Sequence, residues 1–213
     1  MALSHGSCGN LEWSVSERPA PGETRSGDLY LVTAVSDSTV VAVVDALGHG
    51  PEANEAARRA VAALTAACAA ADSAASPPAL QSLFERCHAA PRLTRWVVMT
   101  VASVDGGGWL CWAGVGNVEA AIVHPREGDN GRERILLRPG VVGLTLPSLR
   151  LERIQLRRGD IVVLATDGIR DGFLDSLDPR RPVGAIAAQV LEEHARPGDD
   201  ALVLVARYGR AAP

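Results

Sequence analysis

Residues 40–51 read VVAVVDALGHGP, and the fold follows from how this stretch is read. Five of its first six residues are apolar and four are valines, whose stiff, branched side chains favour a pleated surface over a helix. The run is therefore expected to be a buried strand, with Asp45 at its end. A carboxylate placed directly after a wholly apolar strand is costly to bury unless positive charge meets it. Gly48 and Gly50, which follow, allow close approach of backbone. Together these features make the end of the strand a candidate metal or phosphate position.

Upstream of this stretch, Leu11 to Arg18 alternates apolar and polar residues and is expected to be a half-buried strand ending at the turn Pro19-Ala20-Pro21-Gly22. Asp28 to Val35 is a second strand that opens on a carboxylate, and Asp37 and Ser38 form the turn into Val40 to Val44. Downstream, Pro51 suits a first helical turn, and the alanine-rich run Glu52 to Ala71 predicts a helix. Asp72 to Pro78 is read as a connection. Ala79 to Ala90 is expected to be an amphipathic helix with Leu80, Leu83, Phe84 and Cys87 on one face.

From Trp96 the period changes to that of strands. WVVMTVASVD, WLCWAGVG and VEAAIVH, separated by glycine turns, predict an antiparallel meander. Glu127 to Gly131 reads as an exposed loop, and Arg134 to Leu137 and Leu151 to Leu156 are candidate strands. Ile161 to Ala165 is another apolar strand, followed by Asp167 and Gly168. Val183 to Ala195 is expected to be a helix, and Gly198-Asp199-Asp200 leads into a last apolar strand, Ala201 to Ala206.

Composition sets bounds on this picture. A chain of 213 residues, 47% hydrophobic and 22% charged, is expected to form one well-buried domain, residues 1–213. Its net charge of -4 comes without a basic stripe or interleaved aromatics, so no nucleic-acid or membrane partner is expected, and the chain is read as a monomer. Cys8, Cys68, Cys87 and Cys111 show no metal or disulfide spacing, and no signal-peptide pattern opens the sequence. They are read as reduced thiols in a cytoplasmic protein.

The recurring feature is an aspartate at the boundary of each apolar strand: Asp28, Asp45, Asp167, and the pair Asp199 and Asp200. Taken singly, each is an ordinary turn or capping residue. If the strand ends converge, the carboxylates repel one another, and a shared divalent cation is the common remedy. Oxygen ligands without a His or Cys cluster favour Mg²⁺ or Mn²⁺ over Zn²⁺.

The order GD, VVDALGHG before an alanine-rich helix, AGVGN, GDIVVLATDGIRDGF and GDDALVLV resembles the PP2C-type metal-dependent serine/threonine phosphatases. It is most similar to the bacterial branch that contains SpoIIE, RsbU and RsbX, and in length it is most like the stressosome phosphatase RsbX. The resemblance runs from about Gly27 to Val205. It implies an α+β fold, a four-layer αββα sandwich of two antiparallel sheets, with the two earlier helices on one side and Val183 to Ala195 on the other.

The resemblance also implies two ions, Mn²⁺ or Mg²⁺. Asp45 would bridge them, Ala46 would offer its backbone carbonyl, Asp28 would lie on the second-metal side, and Asp167 and Asp199 would complete the first. Two such cations, about 4 Å apart, acidify a shared water and neutralise phosphoryl oxygens during in-line attack. The implied substrate is phosphoserine or phosphothreonine on STAS-domain stressosome proteins of the RsbS and RsbR kind, so that dephosphorylation resets stress signalling.

Asp200 is the lesser candidate as a ligand, and Asp171 is read as an additional metal site or a helix start. Phosphate gripping by Arg25 has no clear match in the family pattern, and His49 is spaced differently from the family's proposed acid. His88 and His194 are read as solvated on helix surfaces. The alternatives are a catalytically inactive binding module on the same fold, a phosphatase of another bacterial anti-sigma-factor antagonist, and an unrelated aspartyl-nucleophile hydrolase. The last would want a DxD pair, and Asp45 is followed by ALG.

Overall fold

Strand β4 (Ser38–Ala46) is buried along nearly its whole length because its two faces meet two different cores. Val41 and Val43 point between the sheets, while Val40, Ala42 and Val44 point at helices. That is the period-two alternation of a strand, here with both faces apolar. Each valine buried in this way contributes roughly 1.5 kcal/mol or more. In the computed structural model, residues 2–73, 79–90, 95–125 and 131–209 are described.

The remaining elements, in chain order, are β1 (Ala2–Cys8), β2 (Leu11–Arg18), β3 (Asp28–Val35), α1 (Pro51–Ser73), α2 (Leu80–His88), β5 (Val97–Val104), β6 (Trp109–Val115), β7 (Glu119–Val123), β8 (Arg132–Arg134), β9 (Glu152–Gln155), β10 (Ile161–Ala165), α3 (Val183–His194) and β11 (Ala201–Tyr208). They form two antiparallel sheets. One has the order β1-β2-β11-β10-β7-β8 and the other β3-β4-β5-β6-β9. The sheets pack face to face on Leu11, Val43, Trp112, Leu164 and Leu204.

Helices α1 and α2 cover the five-stranded sheet. Ala53, Ala56, Ala57 and Ala60, at helical spacing, let α1 lie close to it. Helix α3 covers the other sheet through Ile186 and Val190. This is the expected αββα sandwich, with the helices on the expected sides.

Three local readings change. Strand β1 has no counterpart among the strands expected from the sequence, because its side chains are mostly exposed and show no apolar alternation. It pairs with β2 across Gly9-Asn10, with Gly9 at φ 52°, and Gly6 lies under the Trp13 ring where a Cβ would come within 2.9 Å. The strand expected at Arg134 to Leu137 is instead Arg132–Arg134. Beyond it the chain crosses to the other sheet, where Arg138 N–H donates to the Gly114 carbonyl at 3.1 Å. The β3–β4 turn is made by Ser36 and Asp37, since Ser38 is already in the strand, and Ser36 takes a left-handed φ of 52°. Most of the expected connection after α1 and of the Glu127 to Gly131 loop lies outside the described residues.

Candidate active site

Two strand ends from each sheet bring the predicted aspartates together. In the five-stranded sheet, Asp28 and Asp45 are direct cross-strand partners at the end of the β3–β4 ladder. In the six-stranded sheet, β10 and β11 are neighbours, so Asp167, just after β10, and Asp199, just before β11, lie at the same end. A cleft of about 320 Å³ opens there, lined by the acids Asp45, Asp167 and Asp199, by Asn117, and by the apolar Leu47, Trp96, Val98 and Val141. Asp28 is buried behind it, and Ala46, also buried, is tied to the Gly27 carbonyl through its N–H at 3.2 Å.

The surrounding residues hold these carboxylates in place. Thr166 Oγ1 donates to Asp28 Oδ2 at 2.7 Å and accepts from Leu202 N–H at 3.0 Å, so one hydroxyl ties the two sheets together at the cleft. Asn117 Nδ2 donates to Asp167 Oδ2 at 2.7 Å, and Arg196 Nε donates to the Asp167 carbonyl at 2.7 Å. Asp200 faces the other way. Its two carboxylate oxygens accept the N–H groups of Ala20 and Gly27 at 2.7 and 2.6 Å, which makes it an anchor for the segment leading into β3.

Charge is unbalanced here. Burial, reinforced by the charges of Asp28, Asp167 and Asp199, pushes the Asp45 carboxyl up to about 9. Burial also lifts Asp28 to about 8, against the Thr166 hydrogen bond that favours its charged form. Asp167 is raised by burial and by Asp199, with Arg196 and Asn117 opposing. Asp45, Asp167 and Asp199 line the cleft without closing on one point, for among the described residues no group of three or more His, Cys, Asp or Glu side chains is set as a metal cage.

A pH dependence follows for the metal-free protein. Both Asp28 and Asp45 have folded-state values raised above the ordinary 3.8, so the folded state binds more protons than the unfolded one. Their contribution to stability is fully present below about pH 4 and is lost as pH rises through about 8 to 9. Melting temperature in chelator should therefore fall by several degrees between pH 6 and pH 9, and millimolar Mn²⁺ should remove most of that fall. Differential scanning fluorimetry checks both, and a flat profile in chelator would contradict the electrostatics.

Other candidates lie elsewhere. Arg25 is exposed. His49 is exposed and shares Nδ1 with Glu23 Oε1 at 3.1 Å. Asp171 is exposed and acts on Glu119, whose carboxyl it helps raise after burial. The two helix histidines are less solvated than expected: His88 Nδ1 accepts the Gly143 N–H at 3.1 Å, and His194 Nε2 lies 2.9 Å from Ser176 Oγ. Thr166, Asn117 and Arg196 were assigned no role from the sequence. Thr166 and Asn117 both sit inside the quoted motifs ATDG and AGVGN, but their partners lie 138 and 50 residues away.

A family model for Stage II sporulation protein E (SpoIIE) matches residues 36–209. The chain belongs to the SpoIIE family of PP2C-type phosphatases. A chain solved in work on the bacterial stressosome, described as a modular system adapted to control secondary messenger signaling, is 30% identical, with 92% of this chain and 99% of that one covered and a TM-score of 0.79. RsbX in complex with magnesium superposes with a TM-score of 0.82 over 98% of this chain and 100% of that one, at 16% identity. The catalytic domain of the serine/threonine phosphatase PstP with two manganese ions gives 0.67 over 94% and 99%, at 18% identity. No curated protein matches the sequence.

The SpoIIE-family cleft suits such ions in the kind of donor it offers. All four acids present hard carboxylate oxygens, the class that Mg²⁺ and Mn²⁺ prefer. Their mutual repulsion is also of the sign that a divalent cation relieves.

Proposed function

We propose that this chain is a Mn²⁺- or Mg²⁺-dependent phosphatase that hydrolyses phosphoserine or phosphothreonine on a STAS-domain stressosome protein of the RsbS or RsbR kind, resetting stress signalling. It acts in the cytoplasm as a monomeric single domain. The observation that carries the reading is the meeting of Asp45, Asp167 and Asp199 at one cleft, with Asp28 buried beside Asp45 as its cross-strand partner, so that four strand ends from two sheets converge. The 30% identity to a chain from stressosome work supports the substrate class. Among the described residues no helix is long and apolar enough to cross a membrane.

In this reading the four aspartates and the Ala46 carbonyl would hold two ions. When bound, the ions supply positive charge to the phosphoryl group and acidify water for in-line attack. The chain's own residues supply position. Thr166 fixes Asp28, Asn117 and Arg196 fix Asp167 from its two ends, and Asp200 anchors Ala20 and Gly27 beside the cleft. Because phosphoryl transfer depends on positioning and charge neutralisation, no protein nucleophile is needed.

The test is turnover of p-nitrophenyl phosphate, and of a kinase-phosphorylated STAS-domain protein, across a titration of Mn²⁺ and Mg²⁺. Metal-dependent release of phosphate from both supports the reading. Turnover of the small ester alone removes the STAS substrate, and no turnover with any divalent cation removes the enzyme.

A further inference from the structure

The cleft lining includes apolar side chains that the chemistry above does not use. Leu47, two residues beyond Asp45, is 62% exposed, the highest of any large apolar side chain among the described residues, and Trp96 beside it is 41% exposed. Both line the same cleft as Asp45, Asp167 and Asp199, with Val98 and Val141 continuing the apolar surface. A solitary exposed leucine is ordinary, but apolar side chains gathered at the mouth of a site mark contact with a partner.

The backbone under these side chains is braced. Leu47 N–H donates to the Trp96 carbonyl at 3.1 Å, extending the β4–β5 ladder. Arg95 Nη1 donates to the Leu47 carbonyl at 3.0 Å while its Nη2 pairs with Glu52 at 2.5 Å. Arg95 also packs so closely on Gly48 that a Cβ there would come within 2.7 Å of its guanidinium. Leu47 and Trp96 are thus held outward by a fixed loop, and the shelf is preorganised rather than induced.

Size and charge decide what sits on it. A space of about 320 Å³ is at the small end of ligand sites and suits a phosphorylated side chain with one neighbour. Asp45, one of the acids that would hold the cations and through them the phosphate, and the exposed Leu47 are two residues apart along the chain. That step is at most about 7 Å, and an extended peptide places side chains on one face about 6.6 Å apart, at positions i and i+2.

We infer that the Leu47–Trp96 shelf selects phosphoprotein segments that reach the cleft in extended form and carry an apolar side chain two residues from the phosphorylated one. The inference rests on the phosphatase reading above and names the local sequence that the site prefers. Leu47 and Trp96 are specificity-determining residues that touch the substrate away from the reacting atoms.

The experiment compares two phosphoserine peptides, identical except that the positions two residues before and after the phosphoserine are leucine in one and serine in the other. With Mn²⁺, kcat/KM should favour the leucine peptide by about tenfold, the discrimination of a partly buried aliphatic side chain. In Leu47→Ser and Trp96→Ser that ratio should fall to within about twofold of unity, and Leu47→Met should restore it. Leu3→Ser, on the exposed strand β1, should keep the wild-type ratio. Because the readout is a ratio within each variant, a general loss of activity does not imitate it. Equal kcat/KM for the two peptides in a wild-type protein that turns over p-nitrophenyl phosphate overturns the shelf and leaves the phosphatase standing, whereas failure to turn over either kind of substrate overturns the phosphatase and the shelf with it.

Discussion

Asp45→Asn is expected to lower Mn²⁺-dependent turnover of p-nitrophenyl phosphate by about 10³-fold or more, while leaving the metal-free fold at least as stable as wild type. The activity loss follows from position, since Asp45 is the one acid that both opposes Asp28 across the β3–β4 ladder and lines the open cleft with Asp167 and Asp199. Asparagine keeps the shape but removes the charge that would hold the cations. Loss of a single preorganised electrostatic contact already costs 10²- to 10³-fold in enzymes. The stability half has the opposite sign to an ordinary core substitution. Burial and the neighbouring acids push Asp45 up to about 9, so at pH 8 the folded protein favours the neutral side chain, which asparagine imitates.

Two measurements check this prediction: initial rates across a Mn²⁺ titration, and melting temperature with and without the metal. The wild type should gain stability from Mn²⁺ as any ligand that prefers the folded state demands, and the variant should gain much less. Turnover within tenfold of wild type would remove Asp45 from the centre of the site. A melting temperature several degrees below wild type in chelator would instead make its role structural.

The elements themselves were legible in the sequence because the central strands are extreme, whereas their grouping into two facing sheets with helices on both sides came from the resemblance to the PP2C-type family. VVAVV, IVVLA and ALVLVA are apolar on both faces, which only a strand between two packed layers needs. The alanine-rich run after Pro51 read as a helix from propensity, and its close approach to the sheet through Ala53, Ala56, Ala57 and Ala60 became visible only in the structure. Strand β1 was not legible by that logic, since it contributes hydrogen bonds rather than core, although the Gly9-Asn10 dipeptide carried a hairpin signal.

At the site, the acids could be named from their places at strand ends, but the bonds that position them could not. The Thr166 hydroxyl reaches Asp28 only because two sheets pack face to face, and nothing local to ATDG encodes that partner. The division of labour between Asp199 and Asp200 shows the same limit. Adjacent and identical in type, they differ because Asp200 turns inward onto two backbone N–H groups while Asp199 lines the cleft.

Gly168→Ala is the second large effect, and it should act on fold and site together. An alanine Cβ at this position would lie 1.8 Å from the Asp200 carbonyl oxygen and 2.9 Å from the Ala201 Cα, distances that no real side chain tolerates. Neither segment can retreat easily. The Gly168 carbonyl accepts the Arg196 N–H at 2.7 Å, Asp200 is pinned by Ala20 and Gly27, and Leu202 N–H is held by Thr166 Oγ1. The shift needed to fit one methyl group must therefore part the end of β10 from the start of β11, the two segments that carry Asp167 and Asp199.

Forced overpacking of this kind commonly costs 1 to 3 kcal/mol, and contact with rigid backbone puts Gly168→Ala at about 3 kcal/mol or more. With a urea slope of about 2 kcal/mol/M, the unfolding midpoint should drop by roughly 1.5 M. Mn²⁺ should rescue it less than wild type, since the cation would have to draw the displaced carboxylates back. Gly198→Ala provides the control in the same region. Nothing stands within 4 Å of its added Cβ, so its stability should stay within about 0.5 kcal/mol of wild type, a midpoint shift of at most about 0.25 M. If both alanine variants unfold at the wild-type urea concentration, the close approach at Gly168 does not set the spacing of the two strand ends.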